Sequence, residues 1–196
     1  MATVGGRLIL LLASRDTQTA QQLATTSALS LAEVTRQLAH LMTDGFVVLA
    51  SAPGTQPVVY RLSPKGPPAP PLEPHQRVLV VDDEAMLLDL MMVLLDEEGY
   101  GVVAAAAPAD AAELLHHVTF DLVITDGFSP QPTLAFVTAR AMLRAAAATP
   151  VAFFSAHRVD PDEARAAGFR AVMEKPFDLT ELLTDLRALL RPVPEC

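Results

Sequence analysis

From residue 77 onward, five short apolar segments alternate with longer segments of helical character, and this alternation restricts the fold more than any other feature. The apolar segments are "RVLVV" (77–81), "GVVAAA" (101–106), "DLVIT" (121–125), "PVAFF" (150–154) and "RAVM" (170–173). Continuous apolar runs of this length are typical of strands that are buried on both faces. Parallel strands need a crossover, usually a helix, between them. The pattern therefore predicts an α/β fold with a doubly wound five-stranded parallel sheet in the order 2-1-3-4-5.

Acidic residues directly follow two of these strands. Asp82 and Asp83 come after the first strand, and Asp126 comes after the third. In the predicted order these two strands are neighbours, and such folds bind ligands beyond the carboxyl ends of the strands, where the order reverses. Adjacent carboxylates repel each other unless a positive charge holds them. Clustered carboxylate oxygens suit a hard cation that keeps several waters, so the sequence predicts a Mg²⁺ site here.

The last two strands are followed by a hydroxyl and an ammonium group, on Ser155 and Lys175. Taken singly, such residues have ordinary structural interpretations as a turn serine, a solvated lysine or an aspartate that caps a helix. Taken together, three acids, a hydroxyl and a lysine at successive strand ends are typical of phosphoryl transfer. Mg²⁺ and Lys175 can offset the charge of a phosphoryl group, and Ser155 can donate a hydrogen bond to it.

Four motifs occur in a fixed order here: "VLVVDDE", "DLVITDG" with Pro130 four residues after Asp126, "PVAFFSA" and "EKPFD". The set resembles the receiver domain of two-component response regulators, a flavodoxin-like domain similar to chemotaxis regulators, over residues 77–192. This resemblance implies that Asp126 is the phosphoacceptor, that Ser155 is the switch hydroxyl and that Lys175 binds the phosphate. It also implies a set of Mg²⁺ ligands: Asp82, Asp83, Asp126 and the backbone carbonyl of Phe128.

The resemblance also implies the partner of the chain and the limits of its chemistry. A receiver takes its phosphoryl group from a sensor histidine kinase or a phosphotransfer protein. It catalyses only its own phosphorylation and dephosphorylation, so we expect no enzymatic turnover of another substrate. One difference from the family pattern concerns how phosphorylation would change the conformation of the domain. Val172 stands where the family often has an aromatic residue that swings with the switch hydroxyl. The loop "GFSPQPT" after Asp126 also differs from the usual methionine-proline pair and acidic-glycine turn.

A proline-rich segment precedes the predicted sheet. "SPKGPPAPPLEPHQ" (63–76) holds six prolines, which exclude a helix or a central strand and favour an extended spacer. We therefore divide the chain into residues 1–64, a linker of residues 65–76, and residues 77–196. The charge changes at this boundary, because residues 1–65 carry five cations and three anions, a net +2, which leaves −11 for the rest of a chain whose total is −9. The linker is expected to hold the acidic domain away from the phosphates of bound DNA.

The first 64 residues contain three predicted helices followed by a hairpin. The helical segments are "RLILLLAS" (7–14), "TAQQLATTS" (19–27) and "SLAEVTRQLAHLMTDG" (30–45). Ser30 and Glu33 form a capping box that marks the start of the third helix. The segments "FVVLA" and "VVYRL" then flank a turn and predict a two-stranded hairpin. The arrangement resembles a small α+β winged helix-turn-helix domain over residues 5–64.

In such a domain the third helix enters the major groove of double-stranded DNA. The candidate DNA contacts are the outward residues of this helix and one residue at the base of the wing: Ser30, Thr35, Arg36, Gln37, His40 and Arg61. Arginine and glutamine side chains can pair with the edges of guanine and adenine. A net charge of +2 is low for a DNA-binding domain, so we expect DNA binding to require a homodimer.

Three classes of function remain open. The favoured hypothesis is a transcription regulator controlled by phosphorylation. The alternative is a signalling adaptor whose first domain is a dimerisation or protein-docking module that binds no DNA. An enzyme that hydrolyses phosphate monoesters ranks last, because no substrate-capping domain is evident. No apolar run approaches the ~20 residues of a membrane span, and the single cysteine, Cys196, can form no internal disulfide. We therefore expect a cytoplasmic protein that does not contact the membrane.

Overall fold

The computed structural model describes residues 3–51, 56–63, 76–129 and 132–190. The tip of the predicted hairpin, most of the predicted linker and Pro130 lie outside the described residues. The first part of the chain, residues 3–63, is called the amino-terminal module below. The part from residue 76 to residue 190 is called the carboxyl-terminal domain.

The amino-terminal module contains three helices and a small antiparallel sheet. In chain order its elements are α1 (Val4–Ala13), β1 (Gln18–Thr19), α2 (Ala20–Ser27), α3 (Leu31–Thr43), β2 (Val47–Leu49) and β3 (Val59–Leu62). The strands lie in the order β1-β3-β2. The sequence predicts only the β2–β3 hairpin, because a strand as short as β1 shows no detectable periodicity.

Local sequence explains where α3 begins and ends. The hydroxyl of Ser30 accepts a hydrogen bond from the Glu33 amide at 3.2 Å, so it caps the helix as predicted. The helix ends at Thr43 with Asp44 as the C-cap, and Gly45, the next residue, has a φ of 73°. That conformation favours glycine and is common just after a helix.

The predicted parallel sheet is present in the carboxyl-terminal domain. Its strands are β4 (Arg77–Val81), β5 (Gly101–Ala105), β6 (Leu122–Asp126), β7 (Val151–Ser155) and β8 (Ala171–Glu174). The helices are α4 (Ala85–Glu97), α5 (Pro108–His117), α6 (Pro132–Ala146), α7 (Pro161–Ala167) and α8 (Leu179–Leu190). The strand order is β5-β4-β6-β7-β8, and every neighbouring pair is parallel. This is the predicted order 2-1-3-4-5, so the prediction of a doubly wound sheet is confirmed.

Successive strand residues face two separate cores. Val78 and Val80 of β4 belong to a core that includes residues of α4 and α8. Leu79 and Val81 of the same strand belong to a second core, which includes residues of α5, α6 and α7. Because β4, β5 and β7 are buried along their whole length, their sequences are apolar throughout rather than alternating.

The second core continues into the amino-terminal module. Leu8 and Phe46 of the module lie in the same buried cluster as Leu114 and Phe120 of the carboxyl-terminal domain. The ring centroids of Phe46 and Phe120 are 5.6 Å apart. The amide and hydroxyl of Thr3 donate to the Ala104 carbonyl on the edge strand β5, at 3.2 and 2.7 Å. The two parts of the chain are therefore packed against each other, a contact that the sequence did not reveal.

The residues on either side of the proline-rich segment lie close together. The hydroxyl of Ser63, which precedes the segment, donates to the Gly45 carbonyl at 2.6 Å. Nη2 of Arg77, which follows the segment, donates to the same carbonyl at 2.6 Å. Both ends of the segment thus meet at one backbone group.

Among the described residues, no helix combines the length and the apolar character needed to cross a bilayer.

Candidate functional site at the carboxyl ends of the strands

The fold brings the predicted phosphoryl-transfer residues to one edge of the sheet. Asp82 directly follows β4, Asp126 is the last residue of β6, Ser155 is the last residue of β7, and Lys175 directly follows β8. Parallel strands place these positions side by side because their carboxyl ends share an edge. Residues that are up to 93 positions apart in the sequence are therefore in contact.

Lys175 binds two of the predicted acids at once. Its Nζ donates to Asp82 Oδ2 at 2.6 Å and to Asp126 Oδ1 at 2.8 Å. The side chains of all three residues are largely buried, with 18% of Lys175, 3% of Asp82 and 20% of Asp126 exposed. Burial by itself lowers the pKa of Lys175, but hydrogen bonds and charge from Asp126 and Asp82 outweigh burial, so the pKa is raised. The lysine is thus held in its charged form between two carboxylates.

The remaining carboxylate oxygens of this pair accept backbone hydrogen bonds. Asp82 Oδ1 accepts from the Glu84 amide at 2.9 Å, and Asp126 Oδ2 accepts from the Phe128 amide at 2.8 Å. Phe128 adopts a φ of 51°, a left-handed conformation that is strained for an aromatic residue. The loop therefore fixes the orientation of the Asp126 side chain.

An open cleft of about 330 Å³ lies beside these residues. Its lining consists of Asp83, Asp126, Gly127, Phe128, Ser129, Ser155, Ala156 and His157. Asp83 is exposed, whereas Ser155 is only 7% exposed. The Ser155 hydroxyl accepts a hydrogen bond from the His157 amide at 3.1 Å. Its own hydrogen remains available to donate toward a group in the cleft.

The oxygen donors around the cleft fit Mg²⁺. No group of three or more acidic, histidine or cysteine side chains that could hold a metal ion is found within the described ranges. Mg²⁺ does not require such a cage, because it keeps several waters and commonly binds through one or two carboxylates. Asp83 and Asp126 are acidic residues of the cleft lining, and Phe128, whose backbone carbonyl is the further predicted ligand, lines the same cleft. This donor set is the hard-oxygen kind that Mg²⁺ prefers.

Glycine is required between Asp126 and Phe128. A Cβ atom at Gly127 would lie 2.9 Å from the Cβ of Ala135 and 2.9 Å from Cζ of Phe153. The backbone after β6 therefore lies directly against α6 and β7. This close approach positions the loop that supports Asp126.

The predicted DNA contacts differ in their exposure and in their surroundings. Ser30, Thr35, Arg36, His40 and Arg61 are exposed, and Gln37 is half-buried. Gln37 and His40 border a cleft between α3 and α4, called the interdomain cleft below, which is lined on the α4 side by Met92, Val93 and Asp96. The structure thus leaves Thr35 and Arg36 facing solvent and places Gln37 and His40 beside the carboxyl-terminal domain.

Sequence reasoning missed a group of residues at the opposite ends of the strands. The Arg77 side chain is buried, donates to the carbonyls of Asp44 and Gly45 at 3.1 and 2.6 Å, and lies 4.9 Å from the centroid of the Phe46 ring. Burial lowers the pKa of Arg77, opposed by the charges of Asp121 and Asp44. An arginine at the start of a strand usually faces solvent, so no pattern in the sequence indicated this contact.

Comparison with known proteins places the carboxyl-terminal domain in a family. Residues 78–187 match the family model described as "Response regulator receiver domain". Curated relatives include Protein PetR of Rhodobacter capsulatus, 33% identical over 124 residues, and Transcriptional regulatory protein KdpE of Mycobacterium tuberculosis, 33% identical over 116 residues. The alignments cover 62% and 58% of this chain, and 51% and 50% of the relatives. The chain thus spans about half the length of the curated relatives it matches.

Solved structures agree with the fold. A response regulator from Thermotoga maritima is 27% identical with a TM-score of 0.52, and the match covers 59% of this chain and 98% of that one. The receiver domain of a sensor histidine kinase from Pseudomonas aeruginosa PAO1, described with a magnesium ion coordinated in its active site cleft, is 23% identical with a TM-score of 0.51 over the same shares. At that identity the second likeness shows the fold alone.

Proposed function

The chain belongs to the response regulator receiver domain family, and we propose that it is a phosphorelay regulator that is phosphorylated on Asp126. The observation that carries this proposal is the contact of Lys175 with both Asp82 and Asp126 at the rim of an open cleft. The carboxyl-terminal domain is called the receiver from here on. The phosphodonor would be a sensor histidine kinase or a phosphotransfer protein, as expected for the family.

The arrangement of side chains supports transfer to Asp126. An oxygen of this carboxylate attacks the phosphorus atom, a new P–O bond forms, and the bond from phosphorus to the donor breaks. Lys175 offsets the negative charge on the transferred group, and the Ser155 hydroxyl donates a hydrogen bond to one of its oxygens. The Phe128 amide fixes the attacking carboxylate, so little reorganisation precedes the reaction. The receiver acts only on itself and has no separate substrate.

Mg²⁺ is the cofactor that the donor set fits. Asp83, Asp126 and the backbone carbonyl of Phe128 would hold it, with Asp82 beside them. When bound, the ion offsets charge on the phosphoryl oxygens.

Labelling with a small phosphodonor tests this proposal. The intact chain with acetyl phosphate and Mg²⁺ should acquire one phosphoryl group on Asp126 that hydroxylamine and base remove, as expected for an acyl phosphate, and Asp126→Asn should abolish it. Asp121→Asn is the matched control, since Asp121 precedes β6 at the other end of the sheet and bonds the Arg77 amide at 2.7 Å. Undiminished labelling in Asp126→Asn would reject the assignment.

The amino-terminal module is proposed to be a winged helix that binds double-stranded DNA. Three helices followed by a small antiparallel sheet support this, and several relatives are named as transcriptional regulatory proteins. Thr35 and Arg36 on α3 and Arg61 on β3 are exposed and available to DNA. A homodimer would read two half-sites roughly 34 Å apart or a multiple of that distance.

Binding to a fluorescent DNA duplex at graded salt concentrations tests the second proposal. Arg36→Ala should weaken binding and reduce the slope of log affinity against log salt by about 1 if Arg36 contacts a phosphate. Arg15→Ala is the control, because Arg15 is equally exposed but lies outside α3. No binding even at low salt would favour the alternative, an adaptor whose module docks proteins or dimerises.

A further inference from the structure

The receiver exposes an apolar stripe on α4, called the α4 stripe below. Met86, Leu90 and Val93 follow helical spacing and are 80%, 47% and 56% exposed. Val93 borders the interdomain cleft, so the amino-terminal module reaches the edge of this stripe without covering it. Large apolar side chains that lie together in solvent usually mark an interaction surface. The α4 stripe is therefore a surface that a partner could cover.

A second apolar stripe, called the α6 stripe below, lies on α6. Leu134 and Val137 are 54% and 58% exposed, and Ala141 continues the same face toward the end of the helix. α6 packs on the other side of the sheet from α4, because α6 belongs to the core that includes α5 and α7, whereas α4 shares a core with α8. One receiver therefore presents the two stripes in opposite directions.

The charges beside the two stripes are opposite. The charged residues of α4 are all acidic and exposed, namely Asp89, Asp96 and Glu97. Those of α6 are all basic and exposed, namely Arg140 and Arg144, although the receiver as a whole is acidic. Within the described residues, none of these five side chains takes part in an ion pair. Their charges are therefore available to a partner in solution.

The order of residues along the two helices also matches. Two apolar residues and one charged residue recur at three-residue intervals on both helices: Leu90, Val93 and Asp96 on α4, and Leu134, Val137 and Arg140 on α6. Residues three apart lie on one side of a helix. Two such helices placed side by side in the same direction pair apolar residues with each other and the carboxylate with the guanidinium.

The topology of the receiver allows this parallel arrangement. Every neighbouring pair of strands is parallel, and helices that connect parallel strands all run back in one direction. α4 and α6 therefore point the same way within one receiver. Copies that stack in a single orientation bring α4 of one copy beside α6 of the next, in the direction that the residue order requires.

We propose that the α4 stripe of one copy binds the α6 stripe of a second copy of this chain. The contact joins two different surfaces, and each added copy leaves one stripe of each kind free. Because the stripes point in opposite directions, two copies cannot satisfy both contacts with each other, and assembly continues past the dimer. One pair of helices makes a small interface, so the association is weak and depends on concentration and salt. The inference is independent of the proposed phosphorylation and DNA binding.

Sedimentation velocity of the intact chain from about 10 to about 500 µM tests the contact, a range that suits a weak association. The average mass should rise with concentration past that of a dimer, and it should fall when added salt screens the exposed charges. Arg140→Glu and Asp96→Arg should each weaken the association on the order of tenfold, because each places like charges opposite each other. Arg170→Glu is the matched control, since Arg170 is exposed but precedes β8, outside both stripes.

A mixture of the two variants tests the pairing itself. When copies of Arg140→Glu and Asp96→Arg alternate, every carboxylate at the contact faces a guanidinium. The equimolar mixture should therefore associate as strongly as the unsubstituted chain, although each variant alone does not. All three substitutions change exposed side chains, so acetyl phosphate should label Asp126 in each variant as in the unsubstituted chain.

The outcomes separate this contact from other modes of association. Growth past the dimer, together with recovery in the mixture, supports the proposal. An unsubstituted chain that stays monomeric over the whole range would overturn it, and this result does not depend on whether any variant folds. A mass that levels off at that of a dimer would also overturn it and leave the proposed DNA-binding homodimer intact. Weakening by both variants without recovery in the mixture would assign the stripes to other partners and overturn it as well.

Discussion

The two ends of the receiver sheet have opposite chemistry. At the carboxyl ends of the strands, Asp82, Asp126 and Lys175 form a charged site beside an open cleft. At the amino ends, Phe46 and Phe120 form an apolar contact with the amino-terminal module. Both ends hold a buried cation, but Lys175 is bound by carboxylates, whereas Arg77 donates its side-chain hydrogen bonds to backbone carbonyls. One end is suited to chemistry and the other to fixing the position of a second module.

The difference predicts at which end a substitution changes the chemistry of the site without greatly changing the stability of the fold. The polar groups at the carboxyl end contribute little apolar burial, so their loss should affect chemistry more than folding. The contact at the amino end consists of buried side chains, so its loss affects folding and the placement of α3. The following predictions use paired substitutions at the two ends.

The largest effect on stability is expected from Phe120→Ala. Removal of this buried ring should lower the free energy of unfolding by about 3–5 kcal/mol, the usual cost of a large cavity. Phe128→Ala at the other end removes a half-buried ring and should cost about 1 kcal/mol. Urea denaturation measures both values. Equal losses would contradict the contrast between the two ends.

Two glycine substitutions should separate packing from chemistry. Gly101→Ala and Gly127→Ala each introduce a Cβ within 2.9 Å of another atom, and each should lower the free energy of unfolding by about 1–3 kcal/mol through overpacking. Only Gly127→Ala should slow labelling of Asp126, because it displaces the loop that positions this carboxylate. Rates of labelling by acetyl phosphate, corrected for the folded fraction, measure the difference. A slower rate in Gly101→Ala alone would reverse the assignment.

The carboxyl end could be predicted from the sequence, because its residues follow strands whose apolar runs are easily recognised. Asp126 and Lys175 are 49 residues apart, yet the parallel order places them together. The contact at the amino end could not be predicted in this way. Gly101 and Phe120 look like ordinary strand-flanking residues, and nothing in the sequence indicates that Asp44 lies against Gly101. The prolines of residues 63–76 predict an extended spacer, and the packing of the two parts depends on surfaces that meet only after both have folded.

A smaller effect than those of the packing substitutions is expected when a predicted Mg²⁺ ligand is changed. Asp83→Asn replaces a charged ligand with a neutral amide and should weaken Mg²⁺ binding on the order of tenfold. Asp96→Asn, an equal charge change at the other end of α4, should leave Mg²⁺ affinity unchanged. Isothermal titration calorimetry measures both. Similar losses in the two variants would indicate a general effect of net charge rather than a site at the carboxyl end.

The smallest effect is expected on the free energy of unfolding at alkaline pH, where Lys175 loses its charge. Since the folded-state pKa of Lys175 is raised above its ordinary value of 10.5, its stabilising contribution is fully present below that value and is lost as the pH rises through the raised pKa. The difference in unfolding free energy between the unsubstituted chain and Lys175→Met should therefore stay constant from neutral pH to about pH 10 and shrink above it. Urea unfolding at a series of pH values tests this. A difference that shrinks near pH 8 would argue against the raised pKa.

The conformational change that follows phosphorylation should also concentrate at the carboxyl end of the sheet. Val172, half-buried on β8, cannot rotate as an aromatic side chain does. Movement of Ser155 toward a phosphoryl oxygen requires only a short displacement of the loop that follows it. We therefore expect a modest population shift in that loop and in α7, because α7 is short and only Ala164 of it is buried.

Amide exchange with and without Mg²⁺ and beryllofluoride, a phosphoryl mimic, tests most directly the claim that the carboxyl end is the phosphorylation site. The intact chain should show increased protection in residues 155–170 and around Phe128, and Asp126→Asn should show none of it. Protection that changes strongly across α8 while residues 155–170 stay unaffected, or that persists in Asp126→Asn, would contradict the account.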